Sequence, residues 1–248
     1  MTQTICISNQ KGGVGKTTTA INLAACLAMA GNATLLVDMD PQCNATSGLG
    51  LRPVENHPLL SHESIRTSVV ETELDGLFLL PGSRRFRDVD QLANADSMQS
   101  QHVVEHLTHG TGIFDYVIID SPPSLGRLTQ TALSASDEVL MPIQCEYFAM
   151  EGLTQMIEVI REIMQRGDRR LSFGGILLTM YDPSLELTQE VDDQVREFFG
   201  EIVFETTIPR DVQVSEAPSH GRSVIDYAPR SRGTRAYIEL CMEILNRE

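Results

Sequence analysis

A glycine-rich loop near the start of the chain, QKGGVGKTTT at residues 10–19, limits the possible folds more than any other feature. It follows a short apolar stretch, residues 4–8, and precedes residues 20–30, which are rich in helix formers and end at Gly31. A strand, a glycine loop ending in Gly-Lys-Thr and a helix form the context in which this pattern binds phosphate. Backbone N–H groups and the positive end of the helix dipole hold the phosphates. The sequence therefore predicts a nucleotide site on an α/β fold.

The side chains of this loop suit a bound triphosphate. We expect Lys16 to reach the outer phosphates and the Thr17 hydroxyl to ligate Mg²⁺. The chain contains only two lysines, Lys11 and Lys16, against 17 arginines, so both of its compact ammonium groups lie in this loop. The predicted phosphate contacts are Lys11, Gly12, Gly13, Val14, Gly15, Lys16, Thr17 and Thr18.

Two acidic motifs follow apolar strands. Asp38 and Asp40 come directly after the apolar residues 33–37, and Asp120 ends the apolar run 116–120. Open α/β sheets bind their ligands at the carboxyl ends of such strands. One carboxylate of the first pair suits ordering a Mg²⁺-bound water, and the other suits orienting an attacking water. Asp120 suits holding a water on Mg²⁺.

Apolar strands alternate with amphipathic helices along the rest of the chain. The patterns predict strands at 77–80, 138–142, 175–179 and 202–204, and helices at 97–109, 151–166, 186–199 and 234–246. This alternation is typical of a mostly parallel sheet with helices on both faces. A length of 248 residues fits one α/β domain spanning 1–248. No apolar run approaches the roughly 18 residues that span a bilayer.

The formal net charge of −15 repels nucleic acid and anionic membranes, so binding to either requires a local arginine patch. The densest basic run is SRRFR at residues 83–87. It fits either a contact with DNA or a partner protein, or a solvated loop balanced by Asp88 and Asp90, and the sequence favours the solvated loop. Five scattered cysteines without a CxxC pair indicate reduced thiols and a cytoplasmic protein.

The loop, the DMDPQ segment at 38–42 and the IDSPP segment at 119–123 together resemble the ParA/MinD family of deviant Walker A ATPases. The deviation is the extra lysine, Lys11, at the start of the loop. Further segments are similar to the small chromosomal ParA (Soj) branch; they lie at 44–50, 144–147, 208–210 and 215–221. The resemblance implies ATP and Mg²⁺ as cofactors and a sandwich homodimer with two nucleotides at its interface.

The resemblance also implies roles for individual residues. Lys11 falls where the family's extra lysine crosses to the partner's phosphates, so that hydrolysis waits for dimerisation. Asp40 matches the residue that positions the attacking water, and Asp38 matches its neighbour near Mg²⁺. Gly12 lies where the two loops approach closely. The segments that flank adenine in relatives correspond to Met180, Pro209 and Arg210.

The implied cycle is ATP binding, dimerisation, binding of the dimer to nonspecific DNA at the nucleoid, and release when a ParB-type partner stimulates slow hydrolysis. Two arginines that relatives use on the DNA surface are replaced here by Ser184 and Gln213, which weakens the expected DNA contact. Cys43 stands where relatives usually carry glycine. The candidates to compensate for the lost arginines are Arg196, Arg222, Arg230, Arg232 and Arg235.

The replaced arginines leave a second interpretation open, in which the same ATPase switch positions another cargo or scaffold, as MinD-like systems do. Membrane binding is disfavoured, because the terminal segment 240–248 is acidic rather than basic and bulky. A third interpretation is a metabolic enzyme of the same fold, such as an iron–sulfur reductase or an amide- or lactam-forming ligase. No cysteine follows the second acidic motif as cluster binding requires.

Overall fold

An eight-stranded sheet runs through the molecule, with helices packed on both of its faces. The computed structural model describes residues 2–61, 63–87, 97–146, 149–166 and 171–247. The strands are β1 (Gln3–Ile7), β2 (Thr34–Asp38), β3 (Val70–Glu71), β4 (Leu77–Leu80), β5 (Tyr116–Asp120), β6 (Glu138–Gln144), β7 (Ser172–Tyr181) and β8 (Val203–Pro209). The helices are α1 (Lys16–Met29), α2 (Asn44–Gly48), α3 (Ser97–Gly110), α4 (Arg127–Ser134), α5 (Ala149–Arg166), α6 (Glu186–Phe199), α7 (Val212–Glu216), α8 (Val224–Tyr227) and α9 (Arg232–Asn246).

The strand order is β3-β4-β2-β5-β1-β6-β7-β8, and only the short β3 runs antiparallel to its neighbour. The predicted fold class, a mostly parallel sheet covered on both faces, is therefore confirmed. None of the helices in the described ranges combines the length and apolar character needed to cross a bilayer.

Two hydrophobic cores lie on opposite faces of the sheet. Successive strand side chains alternate between them, so Val117 and Ile119 join one core while Tyr116 and Ile118 join the other. Helices α1 and α9 cover the second face, whereas α3 to α6 cover the first. Strands buried on both faces need continuous apolar runs, which is why the central strands were readable from sequence.

The differences from prediction concentrate at the edges. β8 extends to Pro209, although Glu205 and Thr206 interrupt its apolar pattern, because an edge strand keeps part of its side chains in solvent. The two-residue β3 and the short helices α4, α7 and α8 were not predicted. Short elements of this kind carry too few residues for a periodic signal.

The topology places the predicted motifs side by side. β1 lies between β5 and β6, and β2 pairs with β5 on its other side. In the strand register Asp120 lies opposite both Asp38 and Ile7, the last residue of β1. All three motifs therefore meet at the carboxyl edge of the sheet.

Candidate nucleotide site

Glycine makes the loop between β1 and α1 possible. Gly13 and Gly15 adopt left-handed φ angles of 78° and 89°, which side chains with a Cβ rarely tolerate. Gly12 differs, because a Cβ added there would meet no atom of the described chain within 4 Å. The described part of the chain therefore gives no steric reason for glycine at position 12.

Lys16 lies buried at the start of α1, with 6% of its surface exposed. Its Nζ donates a hydrogen bond to the Lys11 carbonyl at 2.9 Å, so the side chain folds back over the loop. Burial lowers the pKa of Lys16, and the charges of Asp120 and Asp40 act in the opposite direction. The ammonium thus faces the space that the loop encloses, where a phosphate would neutralise its desolvated charge.

Asp120 is fully buried, and neither of its carboxylate oxygens has a hydrogen-bond partner among the described residues. Burial raises the pKa of Asp120 well above its usual range, and the Asp38 charge adds to this effect. The nearby Thr17 hydroxyl, although it does not reach hydrogen-bond geometry, and the Lys16 ammonium both act to lower this pKa. An orphaned buried carboxylate beside a threonine hydroxyl fits a site completed by a hydrated divalent cation.

No group of three or more His, Cys, Asp or Glu side chains in the described part of the chain is placed to hold a metal ion by itself. A divalent ion at this edge would take most of its ligands from phosphates and water. Mg²⁺ prefers this arrangement, since it dehydrates reluctantly and binds through few protein groups. The residues present therefore fit Mg²⁺ better than a metal that needs a full protein cage.

Asp38 and Asp40 occupy different environments. Asp38 is buried and accepts hydrogen bonds from the Thr46 N–H at 2.8 Å and the Thr46 hydroxyl at 2.6 Å. Burial raises the pKa of Asp38 to about 6, although the hydrogen bonds from Thr46 act to lower it. Asp40 accepts a bond from the Gln42 N–H at 2.8 Å and lines the cavity over the glycine loop. Asp40 is thus the carboxylate of the pair that faces the ligand space, and Asp38 fixes the loop that carries it.

A cavity of about 270 Å³ opens over the loop, and Gly13, Lys16, Thr17, Thr18 and Asp40 contribute to its wall. A second cavity of about 120 Å³ adjoins it, lined by the three predicted adenine contacts, Met180, Pro209 and Arg210. Met180 lines both cavities and adopts a left-handed φ of 51°. The two cavities together suit a triphosphate at the loop and a base beside the ends of β7 and β8.

Lys11 does not line this cavity in the described chain. Its Nζ instead forms an ion pair with Glu146 Oε2 at 2.5 Å, where both side chains are about 40% exposed (37% and 45%). Its N–H donates to Asn9 Oδ1 at 3.0 Å, which fixes the backbone that carries the side chain. The two lysines of one loop therefore point to different places. Sequence reasoning gave Glu146 and Thr46 no role, although both lie in segments similar to the Soj branch.

The five predicted DNA-contact arginines do not all lie together. Arg232 and Arg235 line an open groove of about 420 Å³ together with Arg210. Arg196 is held by Asp192 at 2.6 Å, and Arg222 pairs with Asp226 at 3.3 Å. Arg230 is exposed and lines no part of that groove. Only two of the five candidates thus converge.

The positions of the replaced arginines flank this groove. The Ser184 hydroxyl donates to Asp182 Oδ1 at 2.6 Å, and Gln213 is exposed at the start of α7. Hydrogen bonds from Ser184 lower the pKa of Asp182, and the charges of Arg210 and Arg232 act in the same direction. The groove therefore contains a carboxylate that offsets part of its positive charge.

The fold and the site define a phosphate-loop nucleotide-binding protein of the α/β class. An AAA-domain family model matches residues 2–173. The chain is 44% identical to the chromosome-partitioning ATPase Soj of Treponema pallidum, with 100% of this chain and 99% of that protein covered. It is 45% identical to the chromosome partitioning protein ParA of Myxococcus xanthus, with 98% and 88% covered.

Among solved structures, the chain resembles cobyrinic acid a,c-diamide synthase from Mycobacterium smegmatis with bound ADP and magnesium. The TM-score is 0.85 at 32% identity, with 100% of this chain and 95% of that chain covered. The chain therefore belongs to the ParA/MinD family of phosphate-loop ATPases, in the Soj branch, as its sequence motifs indicate.

Proposed function

We propose that this protein is an ATP-dependent dimerising switch that serves DNA partitioning. The observation that carries the proposal is the divergence of the two lysines. Lys16 folds into the loop's own cavity, whereas Lys11 lies at its rim on Glu146 and is available to a second molecule. A cation supplied by a second copy makes hydrolysis depend on dimerisation.

ATP and Mg²⁺ are the proposed ligands of the two joined cavities. The glycine loop binds the phosphates with its N–H groups, while Lys16 neutralises the outer phosphate charge. Thr17 and Asp120 hold the hydrated Mg²⁺, which supplies charge neutralisation on the phosphate oxygens when bound. Asp40 orients the attacking water from the wall of the cavity. We also propose that residues 1–248 act as one domain in this cycle.

Mixed dimers test the exchange of Lys11 between copies. Lys11→Ala and Asp40→Ala should each abolish ATP hydrolysis alone. In a mixture, the site of the Lys11→Ala chain keeps its own Asp40 and receives Lys11 from the other copy. Half of the dimers are then mixed and carry one complete site, so roughly a quarter of the wild-type rate should return. A mixture as inactive as its components would refute the exchange.

DNA and a ParB-type stimulator are the proposed partners, and the bacterial nucleoid is the proposed location. Support for the DNA contact comes from Arg210, Arg232 and Arg235, which converge in one groove beside the nucleotide cavity. Nonspecific duplex DNA should bind in the presence of Mg²⁺ and a nonhydrolysable ATP analogue, with an affinity that falls steeply as salt rises. Arg232→Ala/Arg235→Ala should weaken this binding, and ATP turnover should be slow until the stimulator is added.

A second candidate is the same switch acting on another cargo, because Ser184 and Gln213 leave the groove less basic. Absence of DNA binding even at low salt, combined with intact ATP-dependent dimerisation, would favour it. The likeness to the M. smegmatis synthase raises a third candidate, an amide-forming ligase. ATP turnover that requires a carboxylic acid and a nitrogen donor would identify that activity.

A further inference from the structure

A turn rich in arginine, residues 83–87, lies at the same edge of the sheet as the nucleotide cavity; it is here named the arginine turn. It follows the carboxyl end of β4, which pairs with β2 in parallel. Arg84, Arg85 and Arg87 are exposed, whereas Phe86 is fully buried. The segment therefore displays three guanidinium groups around one apolar anchor.

The arginine turn is tied to the nucleotide site through the residue before it. The Gly82 N–H donates to the Thr46 hydroxyl oxygen at 2.8 Å, and that hydroxyl donates to Asp38 Oδ2 at 2.6 Å. A Cβ at Gly82 would lie 2.8 Å from the Asp38 carboxyl carbon, so only glycine fits there. The base of the turn is thus packed directly on a predicted site carboxylate.

A second set of contacts fixes the far side of the arginine turn. The Phe86 ring packs on the buried His57 ring, with centroids 4.7 Å apart. The Ser83 hydroxyl donates to the Glu55 carbonyl at 3.4 Å, and the Arg87 N–H donates to the Arg84 carbonyl at 3.2 Å. A preorganised backbone of this kind loses little conformational entropy when it binds a ligand.

Within the described ranges the guanidinium groups of the turn have no ion-pair partner. No carboxylate in the described ranges pairs with the guanidinium group of Arg84, Arg85 or Arg87. Asp88 and Asp90, which the sequence suggested as balancing charges, lie outside the described residues. Burial raises the pKa of Asp40, while the Gln42 N–H, Lys16 and Arg87 act against it, so the charge of the turn reaches the nucleotide cavity.

We propose that the arginine turn is a second phosphodiester-binding surface, which contacts the backbone of nonspecific duplex DNA. This inference rests on the proposed function and names a surface of this chain that the groove lined by Arg210, Arg232 and Arg235 does not include. Guanidinium groups present a planar fork of donors that matches phosphate oxygens. Exposed arginines on a fixed backbone, without an ion-pair partner in the described ranges, meet this requirement.

Nucleic acid is the partner that the charges favour. A body with a net charge of −15 binds DNA only where cations are concentrated, and contacts with phosphate account for most nonspecific affinity. The groove near β7 and β8 has lost two arginines to Ser184 and Gln213 and contains Asp182. Three exposed arginines at the β4 end of the same edge, without an ion-pair partner among the described residues, more than make up for the two lost charges.

The experiment measures DNA affinity by fluorescence anisotropy over a salt series. It uses the full chain with Mg²⁺, a nonhydrolysable ATP analogue and a duplex of arbitrary sequence. The test variant is Arg84→Ala/Arg85→Ala, which leaves Arg87 in place because its charge acts on Asp40. The matched control is Arg66→Ala/Arg161→Ala, which removes two exposed arginines from other parts of the surface. Arg66 lies near the end of α3, because its neighbour Ile65 packs on Gly110.

The test variant should bind DNA several-fold more weakly, and the slope of log affinity against log salt should fall by about 0.9 for each lost phosphate contact. The control should retain the wild-type affinity and slope. ATP-dependent dimerisation, followed by sedimentation velocity, should be unchanged in both variants.

Three results would overturn the inference in distinguishable ways. Unchanged DNA binding in the test variant, with a loss in Arg232→Ala/Arg235→Ala, removes the arginine turn from the DNA surface but leaves the proposed function intact. If the test variant has normal DNA affinity but impaired dimerisation or impaired stimulation by the partner, the arginine turn contacts protein rather than DNA. Failure of the wild type to bind DNA at any salt concentration removes both the inference and the proposed DNA partner.

Discussion

The carboxyl edge of the sheet carries two regions of opposite character. Around β1, β2 and β5 the functional side chains are buried, and main-chain geometry fixes their positions, as for Lys16 and Asp120. Around β7 and β8 the candidate DNA contacts, Arg210, Arg232 and Arg235, are exposed, and their proposed role depends on side-chain charge alone. In the first region backbone geometry restricts particular positions, such as Gly13 and Gly15 with their left-handed φ angles, whereas solvent places no such restriction on the exposed side chains of the second. Local geometry therefore restricts the residues of the nucleotide site more than those of the proposed DNA groove.

The largest effect should come from the buried region. Asp40→Ala should lower partner-stimulated ATP turnover by roughly 10²- to 10⁴-fold, because the variant loses the carboxylate that we propose orients the attacking water. ATP binding and dimerisation should persist, since the glycine loop is untouched. Single-turnover hydrolysis and sedimentation velocity measure the two properties separately. The control is Asp182→Ala, which removes a carboxylate from the exposed region and should retain turnover. Equal losses in both variants would contradict the distinction between the buried and the exposed region.

Gly12→Val should block dimerisation, with an ATP-dependent association at least about tenfold weaker than that of wild type. We attribute the expected effect to a steric clash with the second copy, since an added Cβ at Gly12 meets no described atom of its own chain within 4 Å. Binding of a fluorescent ADP analogue to the monomer should be unchanged. Gly112→Val is the matched control, because Gly112 also has open space around it and lies away from the loop. A Gly12→Val chain that dimerises normally would place the interface elsewhere.

The sequence predicted the buried region more completely than the exposed one. Positive φ at Gly13 and Gly15 and the apolar strands before Asp38 and Asp120 are requirements of backbone geometry, so they leave a pattern. The ion pair of Lys11 with Glu146 leaves none, because it joins residues 135 positions apart. The exposed arginines likewise leave no sequence pattern that predicts their positions, since exposure to solvent imposes no regular spacing on them.

Cys43 illustrates the same limit inside the buried region. The structure places it at the start of α2 with a left-handed φ of 55° and its thiol buried. A glycine pattern would have signalled this backbone geometry, but a cysteine does not, because side chains with a Cβ adopt it only at a cost of about 1 kcal/mol or more. Local propensity therefore gave no signal for a backbone geometry that the contacts of Asp40 and Thr46 fix.

Asp120→Asn should stabilise the nucleotide-free protein by about 1–3 kcal/mol at neutral pH, because a buried carboxylate without partners is unfavourable. Burial raises the pKa of Asp120 in the folded chain. Above pH about 4 the folded chain therefore binds more protons at this carboxyl than the unfolded chain does. The free energy that Asp120 costs the folded state consequently grows as the pH rises. The advantage of asparagine should therefore shrink as the pH falls toward about 4. Chemical denaturation at several pH values measures it.

The exposed Asp75→Asn is the control for this variant and should leave stability unchanged. Saturating Mg²⁺ and ATP should reverse the order of stability, because only the wild type retains the carboxylate for the hydrated ion. Ligand binding at 100 times Kd contributes about 2.7 kcal/mol to the bound protein. A variant that is less stable than wild type without nucleotide would show that Asp120 has stabilising partners, and the distinction between the two regions would then be weaker.

The smallest effect should come from restoring charge to the exposed region. Ser184→Arg and Gln213→Arg should each raise DNA affinity roughly two- to tenfold and steepen the salt dependence by about 0.9 in log–log slope. Neither change should alter ATP turnover without DNA, because both side chains lie outside the nucleotide cavity. Gln165→Arg, on the exposed surface of α5, adds the same charge elsewhere and is the control. If all three variants gain equally, net charge decides DNA binding; if only the first two gain, the groove beside β7 and β8 is a DNA surface whose affinity this chain has lowered by substitution.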